Sequence, residues 1–218
     1  AFPSIRAASE AVSGIIAAGI VPAAMEMMDQ ACVRAVEASI YAAGYPADAA
    51  AVLLVEVDGS AEATEAEAAL VESLLLRHRA TEVRTATTAA ERARLWQGRK
   101  KAFGAMGRIS PDLAVQDAVV PRSTLPDILD RVAAIAAHYR LGVANVFHAG
   151  DGNLHPNISF DGGDPDQVRR VHAANHDIMP ACLAVGGSIT GEHGVGSDKL
   201  AYMLDAFDAE TLGAMRAV

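Results

Sequence analysis

The dipeptide Asp151-Gly152 constrains this chain more than any other feature. It sits between two apolar runs, Val143 to Phe147 and Leu154 to Phe160. A two-residue hairpin loop of type I′ needs positive φ at both central positions, and Asp-Gly is among the pairs that meet the need. Val143 to Phe160 is therefore expected to fold as one β-hairpin. With Asp151 and Gly152 at the turn, Gly150 faces Asn153, Ala149 faces Leu154, and His148 faces His155. Directly opposed residues place their Cβ atoms about 4.5–5.5 Å apart. Two imidazoles at that spacing can share a divalent metal ion. The plainer reading is a solvated pair of histidines beside a tight turn.

A second stretch, Gly186 to Gly196, holds Gly186, Gly187, Gly191, Gly194 and Gly196. So much glycine disfavours both a helix and a regular strand, and it lets backbone approach a ligand closely. The stretch carries Glu192 and His193 side by side. Glu192 is a candidate to complete a two-histidine, one-carboxylate metal set with His148 and His155, which leaves positions open for substrate. His193 then remains as a free acid or base. A flexible linker would explain the glycines but not the Glu-His pair.

The rest of the chain alternates helical and extended patterns. Ser4 is an expected N-cap for a helix that Gly19 ends, and Ala23 to Met28 reads as a short strand. Asp29 should cap a second helix reaching about Ala42. Ala50 to Val57 reads as a buried strand, Ser60 to Arg79 as a helix, and Thr81 to Thr85 as a strand. Thr88 to about Arg108 is expected to be helical, Leu113 to Val120 extended, and Leu125 to about Arg140 helical. Asp164 and Pro165 fit the N-cap and first position of a helix to about Ala184. Ser197 and Asp208 should cap two last helices. This alternation, with one tight hairpin, indicates a layered α+β fold with an antiparallel sheet.

With 218 residues, 51% of them hydrophobic, the chain can bury a sizeable core. Its net charge of −9 argues against nucleic-acid partners and anionic membrane surfaces. Cys32 and Cys182 are far apart without metal-type spacing, which fits a reduced, cytoplasmic setting. The uncharged run Ala11 to Met25 contains Ser13, Gly14, Gly19 and Pro22 and is short for a membrane span. The chain opens at Ala1 without methionine and stops at Val218 within a helical pattern, so a fragment of a longer protein is expected.

Arg99 lies in the apolar stripe of its helix with Leu95, Ala102, Phe103 and Met106. A guanidinium there needs a partner. The candidates are a substrate carboxylate, which suits its bidentate fork, and an acidic residue of another element. Asp117 and Arg122 read as structural. His172 and His176 are spaced i, i+4 but lack the glutamate of the metalloprotease arrangement. With His78 and His138 they read as surface or packing residues.

The run His148-Ala149-Gly150-Asp151-Gly152-Asn153-Leu154-His155 and the run Gly191-Glu192-His193-Gly194-Val195-Gly196 together resemble the signature of the FAD-linked oxidase C-terminal domain. Phe2-Pro3-Ser4, Glu26-Met27-Met28-Asp29 and Leu95-Trp96-Gln97-Gly98-Arg99-Lys100 extend the resemblance over nearly all 218 residues. The domain occurs in flavoproteins that oxidise 2-hydroxy acids, among them glycolate oxidase and D-lactate dehydrogenase. The resemblance implies one ferredoxin-like domain over residues 1–218, with helices on one face of an antiparallel sheet. This is the cap, or substrate domain, of vanillyl-alcohol-oxidase-type flavoproteins. It also implies FAD held mainly by a preceding N-terminal domain, and a divalent Zn, Mn or Fe on His148, His155 and Glu192. His193 would be the base, Arg99 would hold the substrate carboxylate, and Asn153 would lie near substrate and flavin.

Relatives acting on 2-hydroxyglutarate place a lysine near Val115. Apolar Val115 and Phe103 favour a small monocarboxylate instead, such as glycolate or lactate. Further subunits of a glycolate-oxidase assembly are expected partners, and any association with a membrane would run through them. The alternatives are a metal-dependent hydrolase and a non-catalytic ferredoxin-like assembly module.

Overall fold

A computed structural model describes all 218 residues. The strands are β1 (Ala24–Asp29), β2 (Ala51–Glu56), β3 (Asp112–Val115), β4 (Ala118–Val119), β5 (Gly142–Phe147), β6 (Asn153–Leu154) and β7 (Pro156–Phe160). Five form one antiparallel sheet in the order β2-β1-β5-β7-β3, and β4 pairs with β6. The helices are α1 (Ile5–Ala17), α2 (Gln30–Glu37), α3 (Ala61–Arg77), α4 (Ala89–Lys100), α5 (Ala102–Met106), α6 (Leu125–His138), α7 (Pro165–Ala184), α8 (Met203–Ala206) and α9 (Ala209–Ala217). Ser4, Asp29, Ser60, Asp164 and Asp208 each accept a backbone N–H as N-cap. Those are the positions the sequence marks as helix starts.

Strand alternation divides the interior in two. Met25 and Met27 point to the same side as Phe147 and Ile158, where α1, α3, α6 and α7 bury Val12, Ile15, Leu74, Ile128 and Ile178. Met28, Val52 and Val146 point to the other side, against Cys32, Val33 and Val36 of α2 and Met106 of α5. Full burial of such side chains is worth about 1.5–3 kcal/mol each. α1, α3, α6 and α7 thus share one face, and α2, α4 and α5 cover part of the second. Glu26 and His148 project to that second face, because Met27 pairs with Phe147 and side chains alternate.

Four local expectations fail for identifiable reasons. The helix after Asp29 ends at Glu37, whose carboxylate accepts the N–H groups of Ala43, Gly44 and Tyr45 at 3.0 Å and turns the chain back. Thr81 to Thr85 form no strand; the Thr81 N–H reaches the Ala1 carbonyl instead, at 2.9 Å. The helix from Thr88 breaks at Lys101, between Gly98 and Gly104, where helix propensity is low. Ser197 caps no helix, because Lys199 is drawn inward to the Asp117 carbonyl at 2.6 Å.

The hairpin turn also differs. A three-ten turn, Ala149–Asp151, precedes Gly152, which alone takes a positive φ, of 71°. The loop is four residues long, His148 pairs with Asn153, and Gly142 pairs with Ser159. The register is therefore shifted by two residues from the one a two-residue turn would set. Gly152 is required twice over, since a Cβ there would also collide with the Val120 carbonyl. No helix is long and apolar enough to cross a membrane.

Candidate functional site

The shifted register still brings the two histidines together. His155 stands two residues beyond the partner of His148, so both keep the same face as a diagonal pair. Their ring centroids are 5.6 Å apart and nearly perpendicular. His155 is buried and Nδ1 lies 3.1 Å from the Gln116 carbonyl. A carbonyl only accepts, so Nδ1 carries the proton and Nε2 presents its lone pair to the site. Burial is the main force that lowers the His155 pKa, which favours the neutral ring a metal needs. His148 Nδ1 lies 2.6 Å from Glu26 Oε1.

The glycine-rich loop closes the site from the other side. Its anchor is Asp117, fully buried between β3 and β4. The Asp117 carboxylate accepts from the Thr190 hydroxyl at 2.6 Å and from the backbone N–H groups of Gly191, Glu192 and His193 at 3.0–3.2 Å. Lys199 Nζ adds a contact at 3.1 Å. Burial alone would raise the Asp117 pKa. The bonds from Thr190, the His193 N–H and Lys199 outweigh it and hold the carboxyl well below the usual carboxylate range.

So ordered, the loop sets Glu192 Oε1 at 3.1 Å from His155 Nε2 and 3.5 Å from His148 Nε2. His193 stacks on His155 with centroids 5.0 Å apart and planes 12° apart. Its Nε2 stays 3.9 Å from Glu192 Oε1 and its side chain is half exposed. His148, His155 and Glu192 offer ligand atoms within 4.8 Å of one another, a spacing that fits one divalent ion. Asp117, His155 and His193 meet the same distance condition. Asp117 is the poorer ligand, because a carboxylate has about four lone-pair positions and the loop and Lys199 already occupy them.

The structure places the other expected residues less directly. Arg99 meets an acidic residue of another element: its Nε donates to Glu26 Oε2 at 2.8 Å, and Nη2 lies equally close. Asn153 is buried beneath Gly191, where an added Cβ would lie 2.5 Å from its Oδ1. That oxygen has no hydrogen-bond partner, and neither does Oδ1 of buried Asn157. A cavity of about 290 Å³ opens beside the cluster, lined by Met25, Glu26, His148, Gly150, Asp151 and Arg122 among others. His172 and His176 are exposed on α7, outside the cluster.

Glu26 and Lys199 escaped the sequence reading. The signal for Glu26 was a lone acid inside the apolar run Ala23 to Met28. Lys199 offered none, since a lysine after a glycine loop normally points to solvent. Asp117 is structural, as expected, but what it supports is the site itself.

Fold and cluster define an α+β domain in which two histidines and a glutamate converge within metal-ligating distance beside a third histidine. The chain belongs to the family described as FAD linked oxidases, C-terminal domain, which matches residues 1–218. It is 46% identical over 217 residues to glycolate oxidase subunit GlcD of Escherichia coli K12, covering 100% of this chain and 43% of that protein. It is 38% identical to the GlcD subunit of Bacillus subtilis, covering 100% of this chain and 46% of that protein. The mitochondrial D-lactate dehydrogenase (cytochrome) of Arabidopsis thaliana is 28% identical, with 100% and 38% covered. The chain thus spans less than half the length of these relatives. Among solved structures, an alkyldihydroxyacetonephosphate synthase shares the fold, with a TM-score of 0.59, 13% identity, and 89% of this chain and 39% of that one covered.

Proposed function

We propose that this chain is the substrate-binding and catalytic half of a flavin-dependent oxidoreductase that converts a small 2-hydroxy acid, glycolate or D-lactate, to the 2-oxo acid. The observation that carries this is the convergence of His148 Nε2, His155 Nε2 and Glu192 Oε1 beside an unligated His193, in a member of an FAD-linked oxidase family. FAD, held mainly by an N-terminal domain, would supply a hydride acceptor. His148, His155 and Glu192 would hold a divalent Zn, Mn or Fe, which would supply Lewis acidity toward the substrate hydroxyl. His193 takes the hydroxyl proton, so the alcohol loses one hydride and one proton in all. Arg99 retains Nη1 without a protein partner, and that edge holds the substrate carboxylate. The unbonded Asn153 Oδ1 is the acceptor through which that residue would meet substrate or flavin. Val115 and Phe103 offer no second cation, which supports a monocarboxylate. Other subunits of a glycolate-oxidase-type assembly are its expected partners.

The test is anaerobic mixing of the intact protein with glycolate, D-lactate and 2-hydroxyglutarate. Bleaching of the flavin by either of the first two is expected, and a flavin that stays oxidised with all three sinks the reading. The metal reading has its own test. Protein purified without chelator should carry about one divalent ion per chain by elemental analysis, and the double variant His148→Ala, His155→Ala should carry none. Unchanged stoichiometry would place the metal elsewhere or show it to be adventitious.

Arg99→Ala should raise KM strongly and weaken metal retention as well, because it leaves Glu26 buried without its countercharge. Losing one partner of such a pair costs roughly 2–5 kcal/mol. Arg99→Lys should recover only part, for want of the planar fork. Wild-type kinetics and metal content in both variants would remove Arg99 from the site.

A further inference from the structure

We propose that Glu26 is the positioning residue of this site. It holds His148 in the tautomer protonated at Nδ1, so that Nε2 is the ligand atom, and Arg99 in turn holds Glu26. The proposal rests on the metal reading of His148, His155 and Glu192 and names what aims one of its ligands.

Glu26 lies on β1 and His148 directly follows β5, and the pairing of Met27 with Phe147 makes the two neighbours across the strands. The carboxylate divides its oxygens. Oε1 takes His148 Nδ1 at 2.6 Å, and Oε2 takes both Nε and Nη2 of Arg99 at 2.8 Å. The side chains of Glu26 and Arg99 are 9% and 11% exposed, so a carboxylate here without partners would be costly. Glu26 lies outside the groups whose ligand atoms converge; what it can do is orient a histidine that ligates.

His155 shows the same arrangement by other means. Its Nδ1 is fixed by the Gln116 carbonyl, which leaves Nε2 toward Glu192. His148 ends its strand at the hairpin loop, where Glu26 supplies the acceptor that a backbone carbonyl supplies for His155. A carboxylate in that place fixes ring orientation and makes the ligating nitrogen more basic. His148 is therefore the stronger donor of the two. Part of the effect of Arg99 on the chemistry passes through Glu26 and His148, and a substrate carboxylate is not the whole of its role.

The experiment uses the intact protein, stripped of metal by chelator and titrated with zinc. Glu26→Leu, which removes the acceptor, should weaken zinc binding roughly 10–100-fold. Glu26→Gln, which keeps an acceptor but not the charge, should lose less. In metal-free wild type labelled with 15N-histidine, measured at a pH where the ring is neutral, the His148 resonances, identified by their loss in His148→Gln, should show Nδ1 protonated and Nε2 bare. Unchanged zinc affinity in both Glu26 variants, or a His148 protonated at Nε2, overturns the proposal. If neither variant folds, the wild-type tautomer decides. A wild type that takes up no zinc defeats the metal reading, while the tautomer still decides the role of Glu26.

Discussion

Replacing Asp117 with alanine should disorder the loop from Thr190 to Gly194, move Glu192 away from His148 and His155 and lower the stability of the whole domain. Asp117 is fully buried and holds one hydroxyl, three consecutive backbone N–H groups and the Lys199 ammonium. Lys199 is itself buried. Removing one partner of a buried ion pair costs about 3–5 kcal/mol, because the remaining charge has nothing to replace it. That is a large part of the roughly 5–15 kcal/mol by which domains are stable. Asp117→Asn should also fail, since an amide carries one acceptor oxygen and turns a second donor toward the N–H groups.

The expected results are a lower midpoint in urea and a zinc affinity reduced at least about tenfold, the loss seen when groups that orient ligands are removed. His148, just after β5, and His155, between β6 and β7, should keep their places. The acid dependence has a definite sign. The folded-state pKa of Asp117 is depressed, so its stabilisation is present above the unfolded carboxylate value, about 3.9, and is lost as the pH falls from there toward the folded value. A variant with normal midpoint and normal zinc affinity would show that other contacts order the loop.

Replacing His193 with alanine should give the opposite pattern, with structure and metal kept and chemistry lost. The loop is held through the His193 backbone N–H and not through its ring, so the anchor to Asp117 survives the substitution. The ring stacks on His155 but engages no carboxylate closer than 3.9 Å, and it is half exposed. In the proposed reaction two hydrogens leave the alcohol, and the proton needs an acceptor near neutral pH, where an imidazole of unperturbed pKa about 6.5 is suited. On the proposed metal reading, His148 and His155 have their lone pairs engaged, which excludes them from the task.

In the intact enzyme, flavin reduction by substrate should therefore slow roughly 10²–10⁴-fold, the usual worth of a positioned base. Raising the pH should restore part of the rate, since hydroxide can take the proton instead. Stopped-flow measurement of flavin reduction across pH tests this. Normal reduction rates, or a variant that has simply lost its metal, would assign His193 another role.

Much of this protein is legible in the sequence because its signals are local. Ser4, Asp29, Ser60, Asp164 and Asp208 cap helices at the residues their side chains suggest, since a cap involves groups only two or three positions away. The apolar runs of β1, β2 and β5 form strands. The His, Glu and His of the candidate site stand out by residue type and spacing alone. Where the sequence misled, a distant partner had taken over. Glu37 turned the chain after α2, and Lys199 gave up a helix start to reach Asp117.

The sequence by itself determined the α+β class, the family and the residue types able to hold a metal and move a proton, because short motifs and alternation encode these directly. Only the tertiary structure decided the hairpin register. The contact of Val120 with Gly152 and a four-residue loop prevail there over the local preference of Asp-Gly for a two-residue turn. Only the tertiary structure paired Arg99 with Glu26, Glu26 with His148, and Asp117 with a loop 73 or more residues away. Those partners are charged groups brought together by burial. A buried charge takes whatever counter-group the fold puts beside it, at sequence separations that no local pattern reports.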